Sequence, residues 1–261
     1  MRRLIFASLA LVFAACSHVA YHDDSCRPTW NYEQQDEWPD ACKDGPDRSP
    51  INISTTTSAG APQVDIQYTS FFPQMYNNER GVKLYANNGG GSVRVTYANG
   101  QSKVFTLQEL HFHVPGEHTF DGPLPRRAPM ELHLVNQDAA GNAKVVVAIL
   151  FDDTTTAVNP GLSEIIPILP TQTCRYITSS TRINPMKLLP DPTEYRSYYY
   201  NGALTTPPCG GGLEFFVFVS RAMTNPTQIQ GIARVTPGPN AKTIGVRELP
   251  GIPVVPVVRP R

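Results

Sequence analysis

Short β-type runs dominate the chain and constrain its fold more than any other feature. Each run alternates apolar and polar residues or is rich in β-branched and aromatic residues, and Gly, Asn, Asp or Pro bound it. The predicted strands are 64–68, 82–85, 92–97, 103–107, 110–114, 130–135, 144–151 and 213–219. We therefore predict a mostly β single domain, built on a large, twisted, mainly antiparallel sheet with few short helices. The best helix spans 159–169, with Asn159 as its N-cap and Pro160 after it.

The two ends of the chain differ from this central part. Residues 1–15 carry two arginines and an apolar run that stops at Cys16, which predicts a lipoprotein-type signal with Cys16 acylated. A simple cleaved secretion signal is the alternative, and the run is too short to span a bilayer. We expect 16–29 to be a flexible arm, 30–249 the folded domain and 250–261 a Pro-rich tail outside the core. The expected location is the periplasm or cell envelope, with membrane contact only through a lipid anchor.

The charge balance excludes one class of partner. The chain has 22 Lys and Arg against 22 Asp and Glu, and a formal net charge of zero. Nucleic-acid binding depends on a basic surface, so we expect no nucleic-acid partner. The oligomeric state is not predicted.

The cysteines indicate disulfides. Apart from Cys16 the chain has an even number, and in an exported protein that number favours paired cysteines over buried free thiols. These are Cys26, Cys42, Cys174 and Cys209. Spacing leaves all three pairings open. No Cys-x-x-Cys pair indicates a metal site.

Histidines in the centre of the chain carry the clearest chemical signal. The segment LHFHV puts His111 and His113 on one face of a strand, because strand side chains alternate with a period of two. The segment MELHLV likewise puts Glu131 and His133 together. If the two strands are neighbours, three imidazoles converge, and three neutral imidazoles with an open fourth position suit a catalytic zinc. Spacing alone leaves copper or iron open, and a His-x-His pair by itself is more often a surface or packed pair.

Five segments, in their order, resemble the α-class carbonic anhydrases. They are WNY from Trp30, RSPINI from Arg48, LHFHVPGEHTFDG from Leu110, MELHLV from Met130 and NGALTTPPC from Asn201. The resemblance spans nearly the whole mature chain and implies the α-carbonic anhydrase fold. It also implies zinc-dependent, reversible hydration of CO2 to bicarbonate and a proton, by attack of a zinc-bound hydroxide.

The resemblance implies a role for each site residue. His111, His113 and His133 would bind Zn²⁺, and Thr205 would accept the hydroxide's hydrogen bond and pass its own proton to Glu117. The residues that would support the metal ligands are Glu131, Glu109, Asn240 and His118; position 109 is commonly Gln in the family. The residues that would line an apolar CO2 pocket are Val135, Val146, Leu204, Thr206, Leu213 and Phe215; position 215 is usually Trp in the family.

Two further features follow from the same resemblance. Residues 87–92 lack the histidine that carries protons in fast members, which implies slower or buffer-dependent turnover. Bacterial members join the cysteine before SPINI to the one after TTPP, which implies a Cys42–Cys209 disulfide and leaves Cys26 with Cys174.

The sequence leaves two alternative functions open. One is a catalytically silent binding protein on the same scaffold, which the presence of all three histidines argues against. The other is a zinc-dependent esterase.

Overall fold

The computed structural model describes residues 28–87, 89–120, 126–142, 144–153, 156–190, 195–236 and 238–258. The predicted signal, Cys16, Cys26 and most of the predicted arm lie outside the described residues. In the part of the chain that is described, no helix is both long and apolar enough to cross a membrane.

Strands outnumber helices among the described residues. The strands are β1 (Ile51–Ile53), β2 (Thr56–Ser58), β3 (Gln63–Tyr68), β4 (Gln74–Asn77), β5 (Val82–Tyr85), β6 (Gly91–Thr96), β7 (Ser102–His113), β8 (Thr119–Phe120), β9 (Arg126–Arg127), β10 (Met130–Gln137), β11 (Lys144–Asp153), β12 (Tyr176–Thr178), β13 (Arg196–Ala203), β14 (Gly211–Phe218), β15 (Ala222–Thr224), β16 (Arg247–Glu248) and β17 (Ile252–Val258). The α-helices are α1 (Asp40–Lys43), α2 (Pro160–Ile165) and α3 (Pro226–Ala233), and 3-10 turns cover Gln35–Glu37, Ile166–Ile168 and Pro185–Leu188. The mostly β prediction is confirmed.

One large sheet holds thirteen of the described strands. Its order is β10-β11-β14-β13-β17-β3-β6-β7-β5-β4-β12, with β15 beside β11 and β2 beside β17. The long strand β7 pairs antiparallel with β6 through its first half and with β10 through its second half. A small second sheet has the order β16-β1-β8-β9. The contact between β7 and β10 brings the two histidine segments side by side.

Strand β7 differs from the prediction of two separate strands, 103–107 and 110–114. It runs without a break, although Gln108 and Glu109 interrupt the apolar pattern. The strand tolerates Glu109 because its carboxylate is hydrogen-bonded to His111 two residues later, on the same face. The irregularity lies in β7 itself: Val135 of β10 pairs with Glu109 and Asn136 pairs with Leu107, so Gln108 has no residue opposite it.

The two faces of β7 and β10 bury different residues. Leu110 and Phe112 of β7 pack with Leu132 and Leu134 of β10 in the larger apolar cluster. The histidines occupy the opposite face, where a second cluster includes Phe215 of β14. This division follows the period-two alternation of strand side chains. The histidines therefore stand on the inner wall of a second, smaller core.

The predicted helix over 159–169 is shorter than expected. Helix α2 stops at Ile165, and a 3-10 turn follows over Ile166–Ile168. Asn159 caps it as predicted, because its side-chain oxygen accepts from the N–H groups of Gly161 and Leu162. Pro167 has no N–H to continue the helical hydrogen bonds, and this shortens the helix.

The C-terminal segment corrects the prediction of a tail outside the core. Residues 252–258 form β17, which lies inside the large sheet between β13 and the pair β2 and β3. Pro253 lies before the β13 ladder begins at Val254, and Pro256 lies between the end of β2 pairing and the start of β3 pairing. Each proline therefore falls where a neighbouring ladder has a gap, so its missing N–H costs no hydrogen bond.

We expect the substitution Ile252→Ala to lower the free energy of unfolding by about 2–5 kcal/mol, because Ile252 is fully buried in β17. Val258→Ala, at the 37% exposed end of the same strand, is the matched control and should change it by less than about 0.5 kcal/mol. Urea unfolding followed by circular dichroism measures both. Equal, small effects would mean that the segment frays.

Candidate metal centre

The pairing of β7 with β10 brings His111, His113 and His133 together. His133 lies directly opposite His111 in the ladder, and His113 lies opposite Glu131. The ring centroids are 5.0 Å apart for His111 and His113, 5.3 Å for His111 and His133, and 4.7 Å for His113 and His133. One nitrogen from each ring lies within 4.8 Å of the other two. Three imidazole nitrogens can therefore reach one metal ion.

Each ring has its other nitrogen hydrogen-bonded on the side away from this meeting point. His111 Nδ1 lies 3.1 and 3.0 Å from the two oxygens of Glu109. His113 Nδ1 lies 2.7 Å from the backbone oxygen of Asn240, and His133 Nε2 lies 2.8 Å from Glu131 Oε1. The acceptors hold the proton of each neutral ring on the outer nitrogen and leave the inner nitrogen with a lone pair.

The electrostatics favour a neutral His113 ring and ionised carboxylates at Glu109 and Glu131. Burial lowers the pKa of His113 well below its usual value, and the neighbouring His133 and His111 lower it further. Burial opposes ionisation of Glu109, but His111 and Lys83 bring its pKa down to about 2. Glu131 behaves in the same way, since His118 and His133 outweigh burial and its pKa is well below normal. Neutral imidazoles are the form that binds metal.

The residues present fit a zinc ion. Nε2 of His113 is buried and has no hydrogen-bond partner, which is costly for a polar atom unless a ligand uses its lone pair. Three nitrogen donors are the set of a catalytic zinc site that keeps one open position, whereas a structural site has four protein ligands.

A second group of possible ligands, made of His118, Glu131 and His133, is explained by hydrogen bonds. Glu131 Oε1 lies 2.6 Å from His118 Nδ1 and 2.8 Å from His133 Nε2. His118 Nε2 lies 2.7 Å from the hydroxyl of Tyr200, so both of its ring nitrogens are used. His118 therefore supports Glu131, which also accepts the backbone N–H groups of Glu117 and His118.

Thr205 and Glu117 lie together beside the histidines. Thr205 is buried in the loop after β13, close enough to the Glu117 carboxyl to lower its pKa. Glu117 Oε1 accepts the backbone N–H of Lys242 at 2.8 Å and lies 3.4 Å from His113 Nδ1. Burial raises the pKa of Glu117 to about 7, and Glu131 adds to the rise, while His133, Lys242 and Thr205 oppose it.

An apolar wall borders the same face of the sheet. His133 is followed by Val135 on β10, Val135 lies opposite Val146 on β11, and Val146 lies opposite Phe215 on β14. The predicted pocket residues Val135, Val146, Leu204, Leu213 and Phe215 all belong to or pack against one cluster. The ring of Phe215 lies 6.0 Å from that of His133. Thr206 is half-buried in the loop beyond Leu204.

The family model described as "Eukaryotic-type carbonic anhydrase" matches residues 29–247. The chain belongs to this carbonic anhydrase family. A carbonic anhydrase of Pectobacterium atrosepticum is 29% identical over 246 residues, covering 91% of this chain and 94% of that protein. One of Neisseria gonorrhoeae is 30% identical over 203 residues, covering 78% and 75%.

A solved relative has the same fold. The α-carbonic anhydrase of Thermovibrio ammonificans, solved with the inhibitor sulfanilamide, superposes with a TM-score of 0.68 at 30% identity. The match covers 82% of this chain and 89% of that chain. The large twisted sheet predicted from the resemblance to carbonic anhydrases is therefore confirmed.

Several residues that shape this carbonic anhydrase site were not predicted. Tyr200 is hydrogen-bonded to His118 and stacks on Phe215 at 4.9 Å. Lys242 is fully buried, and its Nζ donates to the backbone oxygen of Ser49 at 2.7 Å. Lys242 lies in an irregular segment, and Tyr200 is one of three consecutive tyrosines. No local pattern in the sequence marks either residue.

A disulfide joins the Thr205 loop to the N-terminal part of the carbonic anhydrase domain. Cys42 of α1 bonds to Cys209, 167 residues later, and Trp38 packs against the pair. Cys174 is also disulfide-bonded. Its predicted partner, Cys26, lies outside the described residues, so that pairing stays a prediction.

We expect the double substitution Cys42→Ser and Cys209→Ser to lower the free energy of unfolding by about 5 kcal/mol, because the bond closes a long loop. Urea unfolding of the oxidised wild type and of the double variant, in the same buffer without reductant, measures the difference. A loss below about 1 kcal/mol would contradict the chain-entropy argument.

Proposed function

We propose that this protein is a zinc-dependent carbonic anhydrase that catalyses the reversible hydration of CO2 to bicarbonate and a proton. The observation that carries the proposal is the convergence of three imidazoles whose outer nitrogens are all hydrogen-bonded, beside the buried pair Thr205 and Glu117. The family match supports the same activity.

His111, His113 and His133 would hold the zinc. When bound, Zn²⁺ with three histidines and an open position acts as a Lewis acid that lowers the pKa of water, as is established for this enzyme class. Glu109, Glu131 and the Asn240 carbonyl fix the direction in which each ring presents its lone pair.

Thr205 and Glu117 would orient the reacting oxygen. With its hydroxyl hydrogen directed to Glu117, the Thr205 oxygen would accept a hydrogen bond from a species at the metal's open position. A hydroxide has such a proton and many other anions do not. The pair therefore selects and aligns the attacking group.

The apolar wall would receive CO2. The substrate has no charge and no hydrogen-bond donor, so Val135, Val146 and Phe215 cost it little solvation and exclude competing water. Leu204, Leu213 and Thr206 complete this proposed pocket. No contact in the described residues favours an ester substrate over CO2.

Export of the chain is part of the proposal. A disulfide between distant cysteines is typical of an oxidising compartment, and the relatives named above include bacterial enzymes. The signal at 1–15 and the lipid on Cys16 lie outside the described residues and stay predictions. Mass spectrometry of the mature N-terminus tests both.

We expect purified protein to contain one zinc per chain and to hydrate CO2, and His111→Gln to lose both properties. His111 belongs only to the three-histidine group, whereas His118 belongs only to the alternative group with Glu131. His118→Gln is therefore the counterpart and should retain zinc. Metal analysis after gel filtration and stopped-flow CO2 hydration, with and without sulfanilamide, measure the outcome.

Three results would contradict the proposal. Metal-free wild type that is inert towards CO2 would support the silent binding protein. Zinc retained by His111→Gln and lost by His118→Gln would move the metal to the other group. Higher efficiency on esters than on CO2 would make the protein an esterase.

In the part of the chain that the structure describes, the proposed enzyme has no histidine placed to relay protons to solvent. Among the described residues, His118 is the only histidine outside the metal group. It is fully buried and hydrogen-bonded through both ring nitrogens. Gly90 stands in the segment where fast members carry their histidine. A Cβ there would lie 2.7 Å from Leu107 Cδ2, so this position faces the core.

We expect the maximal rate of CO2 hydration to rise with imidazole concentration at constant pH and ionic strength, because the proton must pass directly to buffer. The value of kcat/KM, measured at low CO2 concentration, should change much less. Stopped-flow assays over a series of imidazole concentrations, with a non-buffering salt to balance ionic strength, provide the measurement. A maximal rate independent of buffer would show that another group carries the proton.

A further inference from the structure

An irregular segment, residues 240–243, supplies two of the contacts on which the proposed site depends. The backbone oxygen of Asn240 accepts from His113 Nδ1 at 2.7 Å. The backbone N–H of Lys242 donates to Glu117 Oε1 at 2.8 Å. No helix or strand covers 240–243, so no regular backbone ladder fixes these two groups in space.

Side chains fix this segment instead. Asn240 ties itself to the end of β7, because its Nδ2 donates to the oxygen of Phe112 and its Oδ1 accepts from the N–H of Val114. At the other end, Arg127 donates to the oxygen of Lys242 at 3.2 Å. These contacts anchor the two ends but do not fix the peptide groups between them.

Gln35 spans those peptide groups from the N-terminal part of the domain. Its Nε2 donates to the oxygen of Ala241 at 2.9 Å, and its Oε1 accepts the N–H of Thr243 at 2.7 Å. The side chain is buried, and its Nε2 also donates to the oxygen of Tyr32 at 3.1 Å. One amide therefore bonds the residues on both sides of Lys242, much as a neighbouring strand would.

The arrangement has a directional consequence. The oxygen of Ala241 and the N–H of Lys242 belong to one planar trans peptide group and therefore point to opposite sides. Because Gln35 holds that oxygen, the N–H is directed away from Gln35, towards Glu117. The carbonyl of Asn240, one residue earlier, is held in line with His113. Gln35 touches neither a metal ligand nor the reacting atoms, so it can act only through the segment.

We propose that Gln35 is a positioning residue for the metal centre, which holds residues 240–243 so that Asn240 orients His113 and Lys242 orients Glu117. The inference rests on the proposed function, because it treats His113 as a zinc ligand. Gln35 lies more than 70 positions before His113 in the chain, and the inference gives it a part in zinc retention.

The experiment compares zinc loss from Gln35→Met with that from the wild type. Methionine has a similar length and fills the same space but bonds neither Ala241 nor Thr243. We expect zinc transfer to excess dipicolinate to be about three- to tenfold faster, a smaller effect than the about 10- to 100-fold loss of metal affinity or activity that is typical when a direct partner of a metal ligand is removed. kcat for CO2 hydration should fall, since Glu117 loses its fixed donor, with KM little changed.

Two control variants separate positioning from general destabilisation. Gln34→Met changes the exposed neighbour, whose side chain bonds only within the same turn, to Asn31 and Glu37. Ile165→Val weakens the core in α2 without touching the segment. Both should lose zinc at the wild-type rate within twofold. If Gln35→Met does not fold, Gln35→Asn, whose shorter side chain cannot bridge both groups, replaces it.

The outcomes distinguish this inference from the proposed function. Wild type that binds no zinc overturns both. Wild type that binds zinc and hydrates CO2, with Gln35→Met losing zinc at the same rate, overturns the positioning role alone. Ile165→Val losing zinc as fast as Gln35→Met would also overturn it, because loss would then follow stability. Faster zinc loss in Gln35→Met alone supports it.

Discussion

The register between β7 and β10 is the constraint on which the rest of the site depends. With His133 directly opposite His111, one ladder position brings imidazoles from two strands to the same face. A shift of one residue would turn His133 into the core and Leu132 or Leu134 towards the metal. The apolar face prevents such a shift, because Leu110, Phe112, Leu132 and Leu134 must all remain buried. Hydrophobic burial on one face thus sets the metal geometry on the other.

The groups that orient the three rings come from very different distances along the chain. Glu109 and Glu131 each precede their histidine by two residues on the same strand, so strand periodicity alone places carboxylate and ring on one face. The acceptor for His113 comes from Asn240, 127 residues later. Two of the three supports are therefore local to the histidine strands, and the third depends on how a distant irregular segment is held.

This difference explains what could be predicted from the sequence. Period-two patterns identified the histidine strands and the apolar face behind them, and Glu131 beside His133. They could not identify Tyr200, Gln35 or Lys242, whose roles arise from contacts between distant segments with no local signature. Strand β17 was missed for another reason: its prolines normally exclude a central strand, and only the gaps in the neighbouring ladders make them tolerable.

The charges around the histidines explain why a dication suits this interior. Glu109 and Glu131 remain ionised, since His111 and His118 respectively hold each pKa below normal despite burial. Buried charges are costly unless they are balanced. A doubly charged ion on neutral imidazoles would lie one ring away from both carboxylates and balance them together. His113, backed by the uncharged Asn240 carbonyl, adds a donor without adding charge. Compared with a glutamine, the carboxylate of Glu109 would therefore place one more negative charge one ring away from a metal held by His111.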